Sequence, residues 1–295
     1  MSTVVLLVFT GLGLGALYFL VASGLSLIFG LMDVLNFAHG ALLSIGAYAT
    51  WWAASGQLPG AGPGGAGFLL AVLFGTAVGT LAAVVLELAV IRPLYTRPRE
   101  QILATVGVGL SVPALLSGVW GADARPFPGP EALSGTFGLL GARIPVNRLV
   151  LIAAALTVLI ALKLFLSRTR HGLVVRAGVE DRAMVTALGI DVRKAFTLVF
   201  AIGGAAAALG GALGGLYFGS VDPGQGTSLL IFAFVVVVMG GMGSVAGAAL
   251  ASVGVGLVQQ FANYYTAAGL GDLAVVVMLA ALLLVKPSGL TGRLA

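Results

Sequence analysis

The amino-acid sequence predicts an all-α integral membrane protein, a polytopic bundle of about eight to ten transmembrane helices, on two observations. First, 59% of the 295 residues are hydrophobic and 8% are charged, whereas charged residues make up about 25% of a soluble domain. Second, the chain contains long uncharged stretches, among them 1–32, 34–86 and 223–271, and about 20 apolar residues suffice for one helical crossing. A water-soluble enzyme is therefore excluded, and a β-barrel, whose strands alternate in polarity, is disfavoured.

Nine apolar segments follow one another along the chain. They cover residues 4–30, 37–54, 67–91, 101–120, 149–166, 195–218, 228–241, 245–262 and 272–286. The segments 228–241 and 272–286 are short for a full crossing, and 37–54 begins with polar residues, so these three are doubtful as full crossings, and the fold class allows for broken helices in the bundle. We expect residues 1–295 to form a single transmembrane domain.

The distribution of basic residues predicts the orientation of the bundle. Lys and Arg are concentrated in the 92–100 loop, the 163–194 loop and the C-terminus, whereas the alternate loops carry little net positive charge. Cytoplasmic loops of membrane proteins are enriched in Lys and Arg. The two basic loops and the C-terminus are therefore predicted to be cytoplasmic, and nine crossings then place the N-terminus outside.

Several kinds of chemistry are absent from the sequence. There is no cysteine, and none of the lysines follows a glycine, which excludes cysteine metal sites, thiolate catalysis and the phosphate loop of an ATPase. The two histidines are far apart in the chain, so a metal site is not expected. The net charge of +5 is explained by the cytoplasmic loops rather than by nucleic acid. We expect no metal, cofactor or catalytic site in this chain.

Glycine is the second strong compositional signal, with 45 residues. Transmembrane helices associate where small residues let their backbones approach closely. Pairs of glycines spaced by four positions therefore predict a tightly packed bundle, and they occur at Gly11/Gly15, Gly75/Gly79, Gly210/Gly214, Gly211/Gly215 and Gly243/Gly247.

A weak internal repeat points to a central path through the bundle. Residues 36–47 and 244–255 agree at five aligned positions, although chance competes with a true repeat in a chain so rich in Ala and Gly. Both copies follow an interrupted apolar stretch, and such stretches in two halves of a transporter commonly border its pathway. The alternative for residues 36–40 is a short cytoplasmic turn with solvated or helix-capping side chains. The candidate path residues are Asn36, His39, Gly40, Ser44, Gly240, Gly243 and Ser244.

The second basic loop, at about 167–195, contains a predicted amphipathic helix at Glu180–Leu188. Met184 and Leu188 are four residues apart and share an apolar face. Glu180 and Asp181 complement the helix dipole, and Gly189 is a suitable C-terminal stop. An exposed amphipathic helix of this kind binds either a protein partner or an anionic lipid surface.

Several motifs, taken together, resemble the branched-chain amino acid ABC transporter permeases, the LivH/LivM family, and most closely its LivH type. The most specific are N-F-A-H-G at residues 36–40 and the loop with E-D at 180–181 and A-L-G-I at 187–190. Further matches, in chain order, are E-x-x-x-x-R-P-L at 87–94, R-x-G-x-x-x-R-A at 170–177, G-G-x-G-S-x-x-G at 240–247 and K-P-S-G-L at 286–290. They follow one another in the order of the family.

The resemblance implies a permease subunit of an importer in the bacterial cytoplasmic membrane. Its partners would be a second related permease or a second copy of itself, two cytoplasmic P-loop ATPases that bind the ATP, and an extracytoplasmic substrate-binding protein. The Glu180–Gly189 segment would be the coupling helix, with Met184 and Leu188 as apolar anchors and Glu180 and Asp181 as polar contacts. Val185 departs from the family pattern, in which a small residue is common at this place.

Two questions stay open at the level of sequence. Members of this family are associated with leucine, isoleucine and valine, with other amino acids, and with urea or short amides, and the expected apolar path of small residues does not distinguish them. A self-sufficient secondary transporter or channel is the alternative function. It would need intramembrane carboxylates to couple an ion, and the candidates Asp33, Glu87, Asp222 and Asp272 all lie near predicted segment ends.

Overall fold

The fold is a bundle of apolar helices, as the sequence predicts. The computed structural model describes residues 2–180, 182–187, 189 and 192–291. Each of the nine apolar segments forms a helix, and these helices are α1 (Ser2–Met32), α2 (His39–Trp52), α3 (Gly65–Leu86), α4 (Pro98–Trp120), α6 (Val146–Arg168), α9 (Val192–Phe218), α10 (Gln225–Gly240), α11 (Val245–Tyr265) and α12 (Leu270–Val285). A π-helical turn extends α2 at Ala53–Gln57, and π-helical and 3-10 turns extend α3 at Glu87–Ile91 and Arg92–Leu94.

Helix length separates the nine into two groups. In the part of the chain that is described, six helices are long and apolar enough to cross a membrane, namely α1, α3, α4, α6, α9 and α11. The helices α2, α10 and α12 have 14, 16 and 16 residues, which at a rise of 1.5 Å gives roughly 21–24 Å. They correspond to the three segments that the sequence marks as doubtful crossings, and the exact number of crossings stays a prediction.

Small secondary structure elements lie in the 121–148 segment, where the sequence predicts only a loop. A helical turn, α5 (Glu131–Ser134), precedes an antiparallel hairpin of β2 (Thr136–Leu139) and β3 (Ala142–Pro145). The two-residue strand β1 (Arg125–Pro126) pairs with β4 (Ser220–Val221), which directly follows α9. These pairings arise between residues that sequence periodicity does not connect.

The centre of the bundle is formed by α1 and α9, whose side chains are mostly buried, whereas few side chains of α4 and α6 are buried. The central helices approach at glycines. A Cβ placed on Gly24 of α1 would lie 2.3 Å from the carbonyl oxygen of Gly203 on α9, so no larger residue fits without moving a backbone. The tight packing that the glycine pattern predicts is therefore present.

The second basic loop contains more helix than the sequence predicts. A helix not expected from the sequence, α7 (Arg170–Glu180), precedes α8 (Arg182–Ala187). The six residues of α8 lie inside the predicted Glu180–Leu188 helix, and Glu180 ends α7 instead of starting that helix. Asp181 and Leu188 lie outside the described residues.

Candidate translocation and coupling sites

The connection between α1 and α2 lies inside the bundle. Asn36 and His39 are both fully buried, and the His39 Nε2 atom is 3.0 Å from the carbonyl oxygen of Val21. From Val21 to Met32, the last residue of α1, the helix runs for roughly 16 Å. His39 therefore lies beside the middle part of α1, and the structure favours burial at depth over a solvated turn beyond the helix end.

Two polar atoms of this connection have no hydrogen-bond partner among the described residues. The Asn36 side-chain oxygen accepts a hydrogen bond of 3.0 Å from the Ala38 amide, which forms the turn before α2. The Asn36 Nδ2 and the His39 Nδ1 atoms are buried and unpaired. Unpaired buried polar atoms are uncommon and costly, so this connection is a candidate for contact with water or a transported solute.

Gly40 and Ser44 of α2 pack against the beginning of α10. A Cβ on Gly40 would lie 2.6 Å from the carbonyl oxygen of Gly226. The Ser44 hydroxyl donates a hydrogen bond of 3.4 Å to the Pro223 carbonyl. This contact leaves no open space between α2 and α10 at these residues.

The other candidate path residues lie at the opposite end of α10. Gly240 ends the helix, and its carbonyl oxygen accepts hydrogen bonds from the Thr291 amide and hydroxyl. Gly243 packs on Gly30 near the end of α1, and the Ser244 hydroxyl caps α11 by accepting from the Gly247 amide at 3.0 Å. The 16 residues of α10 separate Gly40 and Ser44 from Gly240 by roughly 20 Å, whereas Phe37, next to Asn36, lies between them against Phe234.

An open cavity of about 430 Å³, which the sequence does not predict, lies on another face of α10. It is lined by parts of α1, α10, α11 and α12 and by residues at 217–222, at the end of α9 and after it. A chain of hydrogen bonds connects some of the lining side chains. The Tyr18 hydroxyl donates to the Gln259 side-chain oxygen at 2.7 Å, and the Gln259 amide donates to Asp272 at 2.6 Å. Tyr18 also stacks on Phe232, with ring centroids 4.9 Å apart.

The polar lining of this cavity differs from the apolar path of small residues that we expected. The sequence shows Asp272 only as an acidic residue near a segment end, and Tyr18 and Gln259 are 241 positions apart in the chain. The sequence could have indicated this cavity only through polar residues within separate apolar helices. Which of these residues meet depends on how the helices pack, and the sequence does not show that.

In the basic loop, α8 presents different side chains to solvent and to the core. Met184 is 61% exposed, whereas Val185 is 4% exposed and packs in the apolar cluster that contains Val175 and Phe196. Val185 therefore stabilises the loop against the bundle. Gly189 follows with φ of +77°, the left-handed conformation expected of a residue that ends a helix.

A buried carboxylate connects the end of α3 to the start of α9, close to this loop. Glu87 is fully buried and forms an ion pair of 3.2 Å with Arg92. Its carboxylate also accepts hydrogen bonds from the Tyr95 hydroxyl at 2.5 Å and from the Thr197 hydroxyl of α9 at 3.0 Å. Burial, together with the hydrogen bond to Glu87, raises the pKa of Tyr95. The motif at residues 87–94 thus joins two helices beside the basic loop.

These features define an integral membrane transport subunit. Apolar helices surround a polar cavity, a helical basic loop lies in another part of the molecule, and no cluster of metal-ligating side chains is found among the described residues. The chain belongs to the family described as "Branched-chain amino acid transport system / permease component", whose model matches residues 7–286.

Individual relatives agree with this family and confirm the resemblance to LivH. The chain is 29% identical to the high-affinity branched-chain amino acid transport system permease protein LivH of Escherichia coli K12, over 97% of this chain and 94% of that protein. It is 28% identical to the LivH protein of Salmonella typhimurium, with the same coverage. It is 29% identical to the corresponding permease protein BraD of Pseudomonas aeruginosa, over 96% of this chain and 94% of that protein. No solved structure matches the chain with significance.

Proposed function

We propose that this chain is the transmembrane subunit of an ABC importer for branched-chain amino acids or related small amino acids. The observation that carries the proposal is the family match over residues 7–286, which includes the basic loop and all of the apolar segments except the first three residues of the first one. The chain has no phosphate loop, and in this proposal separate subunits bind the ATP that drives transport.

The proposed complex lies in the bacterial cytoplasmic membrane, with the C-terminus and the 163–194 loop in the cytoplasm. It contains a second related permease or a second copy of this chain, two P-loop ATPases, and a substrate-binding protein on the outer side. The segment Glu180–Gly189 would seat on an ATPase, with Met184, Leu188, Glu180 and Asp181 in the contact. The high exposure of Met184 supports this assignment.

Movement of the loop would reach the bundle through α9. The basic loop continues directly into α9, where the Thr197 hydroxyl donates to the buried Glu87 of the α3 extension. Because α9 also packs on α1 at the Gly24–Gly203 contact, a displacement of its first turn would be transmitted to the central helices. Alternating access driven in this way is the mechanism that we propose.

The candidate path residues would separate during this movement. In the structure, the contact of Gly40 with Gly226 and that of Gly243 with Gly30 close the bundle at the two ends of α10. The unpaired Asn36 Nδ2 and His39 Nδ1 atoms would find water or substrate when α2 and α10 move apart. This provides a reason for retaining two unsatisfied polar groups in the core.

The complex can be tested by affinity purification in mild detergent from the native membrane. We expect a P-loop ATPase and a related permease to copurify with the tagged chain, and ATP-dependent leucine uptake after reconstitution with the binding protein. Met184→Asp should reduce both ATPase recovery and uptake at least tenfold, because it places a charge in an apolar contact. The control Leu140→Asp changes a 77% exposed leucine in the β2–β3 turn and should have no effect.

Two results would contradict the proposal. One is recovery of the chain alone, with leucine uptake into liposomes that does not need ATP, which would identify a secondary transporter. The other is normal ATPase recovery and uptake in the Met184→Asp variant at normal expression, which would assign α8 to the lipid surface instead of to an ATPase.

A further inference from the structure

We infer that the cavity beside Tyr18 is a binding site for the ammonium end of a small apolar amine or amino acid. This inference rests on the proposed function, and it adds a recognition chemistry and a location that neither the family nor the sequence motifs assign. The site is formed by Tyr18, Asp222, Gln225, Gln259 and Asp272, with apolar side chains beside them.

The charge of the lining selects the kind of ligand. Asp222 and Asp272 both line the cavity, and none of the residues described around it is Lys, Arg or His. The guanidinium of Arg148 is not part of the lining; it lies over the Tyr217 ring, 3.4 Å from its centroid, and donates to the Tyr217 carbonyl. Two carboxylates without a facing cation favour a positively charged group.

An unpaired acceptor provides an independent indication of a ligand. Gln225 lines the cavity, is only 8% exposed, and its side-chain oxygen has no hydrogen-bond partner among the described residues. Leaving a buried acceptor unpaired is unfavourable, and an ammonium group offers three donors. Gln225 is therefore expected to accept one of them.

The hydrogen-bond chain holds a second acceptor in place. The Gln259 amide donates to one oxygen of Asp272, while the buried Tyr18 hydroxyl holds the Gln259 oxygen. Gln259 is 6% exposed and Tyr18 is 2% exposed, so neither can move freely. Since a carboxylate has two oxygens with several acceptor sites, Asp272 retains capacity for a ligand.

The other lining residues fit the hydrocarbon part of a ligand. Leu14, Leu229 and Phe232 line the same cavity, and its volume of about 430 Å³ is within the usual range for small-molecule sites. An amino acid would place its ammonium group between Gln225 and the carboxylates and its hydrocarbon side chain against these residues. Because the lining has no cation, its carboxylate would remain toward the open mouth.

The absence of cysteine from the chain allows a direct test with single-cysteine variants of the assembled, reconstituted complex. Ser228→Cys places a thiol in the cavity lining. Ser55→Cys is the matched control, an exposed serine after α2 that lies outside the cavity. Modification rates are measured with a cationic and an anionic methanethiosulfonate reagent, before and after adding leucine, 3-methylbutylamine or 4-methylpentanoate.

We expect the cationic reagent to react about tenfold faster than the anionic one at Ser228→Cys, because of the local negative potential, and equally fast at Ser55→Cys. Leucine and 3-methylbutylamine, which carry an ammonium group, should slow modification of Ser228→Cys at least fivefold. The acid 4-methylpentanoate should not. Adding Gln225→Met or Asp272→Asn should remove the protection while the cysteine stays reactive.

The inference is overturned if millimolar leucine gives no protection at Ser228→Cys, or if 4-methylpentanoate protects as well as leucine does. Uptake by the complex that carries Ser55→Cys separates this outcome from a failure of the proposed function. ATP-dependent leucine uptake without protection rejects the cavity site alone. Loss of ATP dependence in that complex rejects the importer.

Discussion

The contact between α9 and α2 provides a quantitative test of the bundle. Gly211 of α9 lies against the backbone of α2, where an added Cβ would be 2.1 Å from the Leu43 carbonyl oxygen and 3.1 Å from the Ala47 amide nitrogen. Both atoms belong to a helix backbone, so no side-chain rotation can relieve the overlap. The Gly211→Ala substitution therefore has to push the two helices apart.

The size of the effect follows from the distances. Non-bonded carbon contacts are optimal at about 3.5–4.0 Å, and a gap of about 0.5–1 Å between packed surfaces forfeits a quarter to a half of their dispersion energy. Relieving a 2.1 Å contact requires a shift of about 1 Å or more. Overpacking of this kind costs about 1–3 kcal/mol, against a gain of about 1 kcal/mol in helix propensity from Gly to Ala.

The control removes the propensity contribution from the comparison. Gly254 lies inside α11, and a Cβ added there meets no atom within 4 Å. Gly254→Ala should be neutral or stabilising by up to about 1 kcal/mol, so the two variants should differ by about 1–3 kcal/mol. Thermal unfolding in detergent, followed by tryptophan fluorescence, should show Gly211→Ala melting several degrees lower, at about 2–4 °C per kcal/mol.

Equal melting temperatures for the two alanine variants would refute the reasoning. That result would mean that α2 and α9 are not in backbone contact at Gly211, and the position of α2 in the bundle would then be wrong. The depth of His39 and the contact of Gly40 with α10 depend on the same placement, so they would have to be abandoned with it.

Three further predictions use the same preparation. Glu87→Gln retains the volume but removes the charge that accepts from Thr197 and its neighbours, so unfolding should be easier by about 1.5–3 kcal/mol, and an unchanged melting temperature would contradict the network. His39→Leu should reduce leucine uptake at least tenfold while altering stability by less than about 1.5 kcal/mol. The control Ser23→Ala, which removes a hydroxyl bonded within α1, should transport normally. Equal uptake by the two variants would remove His39 from the path. Burial raises the pKa of Tyr95, so the folded state favours the neutral phenol, and its stabilisation is complete below about pH 10 and lost as the pH rises through the raised value. The fall in melting temperature above pH 10 should therefore be smaller in Tyr95→Phe, and identical alkaline profiles would contradict this.

Much of the architecture could be predicted from the sequence because a bilayer imposes simple rules on composition. Uncharged runs define the helices, and glycines spaced by four positions predict the close approaches seen at Gly15 and Gly211. The segment 228–241 is marked as short for a full crossing, and it forms the 16-residue helix α10, since helix length follows from the local apolar run. The helix α7 is missed, because it is amphipathic rather than apolar throughout and therefore carries no membrane signal.

The candidate sites, like the architecture, are predicted from the sequence only in part. The loop with Met184 and the segment with His39 are recognisable from local motifs, although the motifs do not show that His39 is buried beside Val21. The weak repeat suggests that residues 36–44 and 240–244 form one path, and this stays a prediction; the structure places Gly40 and Gly240 at opposite ends of α10.

The sequence by itself determined that this is an integral membrane protein, the order of its helices and its family. Each of these depends on local composition or on motifs in chain order. Only the tertiary structure decided which polar side chains meet. Tyr18 and Gln259 are 241 positions apart, and their long side chains meet because α1 and α11 pack closely at Gly15 and Ser252. Glu87 and Thr197 are joined in the same manner by the packing of α3 on α9. Such pairs are fixed by how far each helix slides along its neighbour, and that distance is set by close contacts between glycine backbones, not by the sequence around either residue.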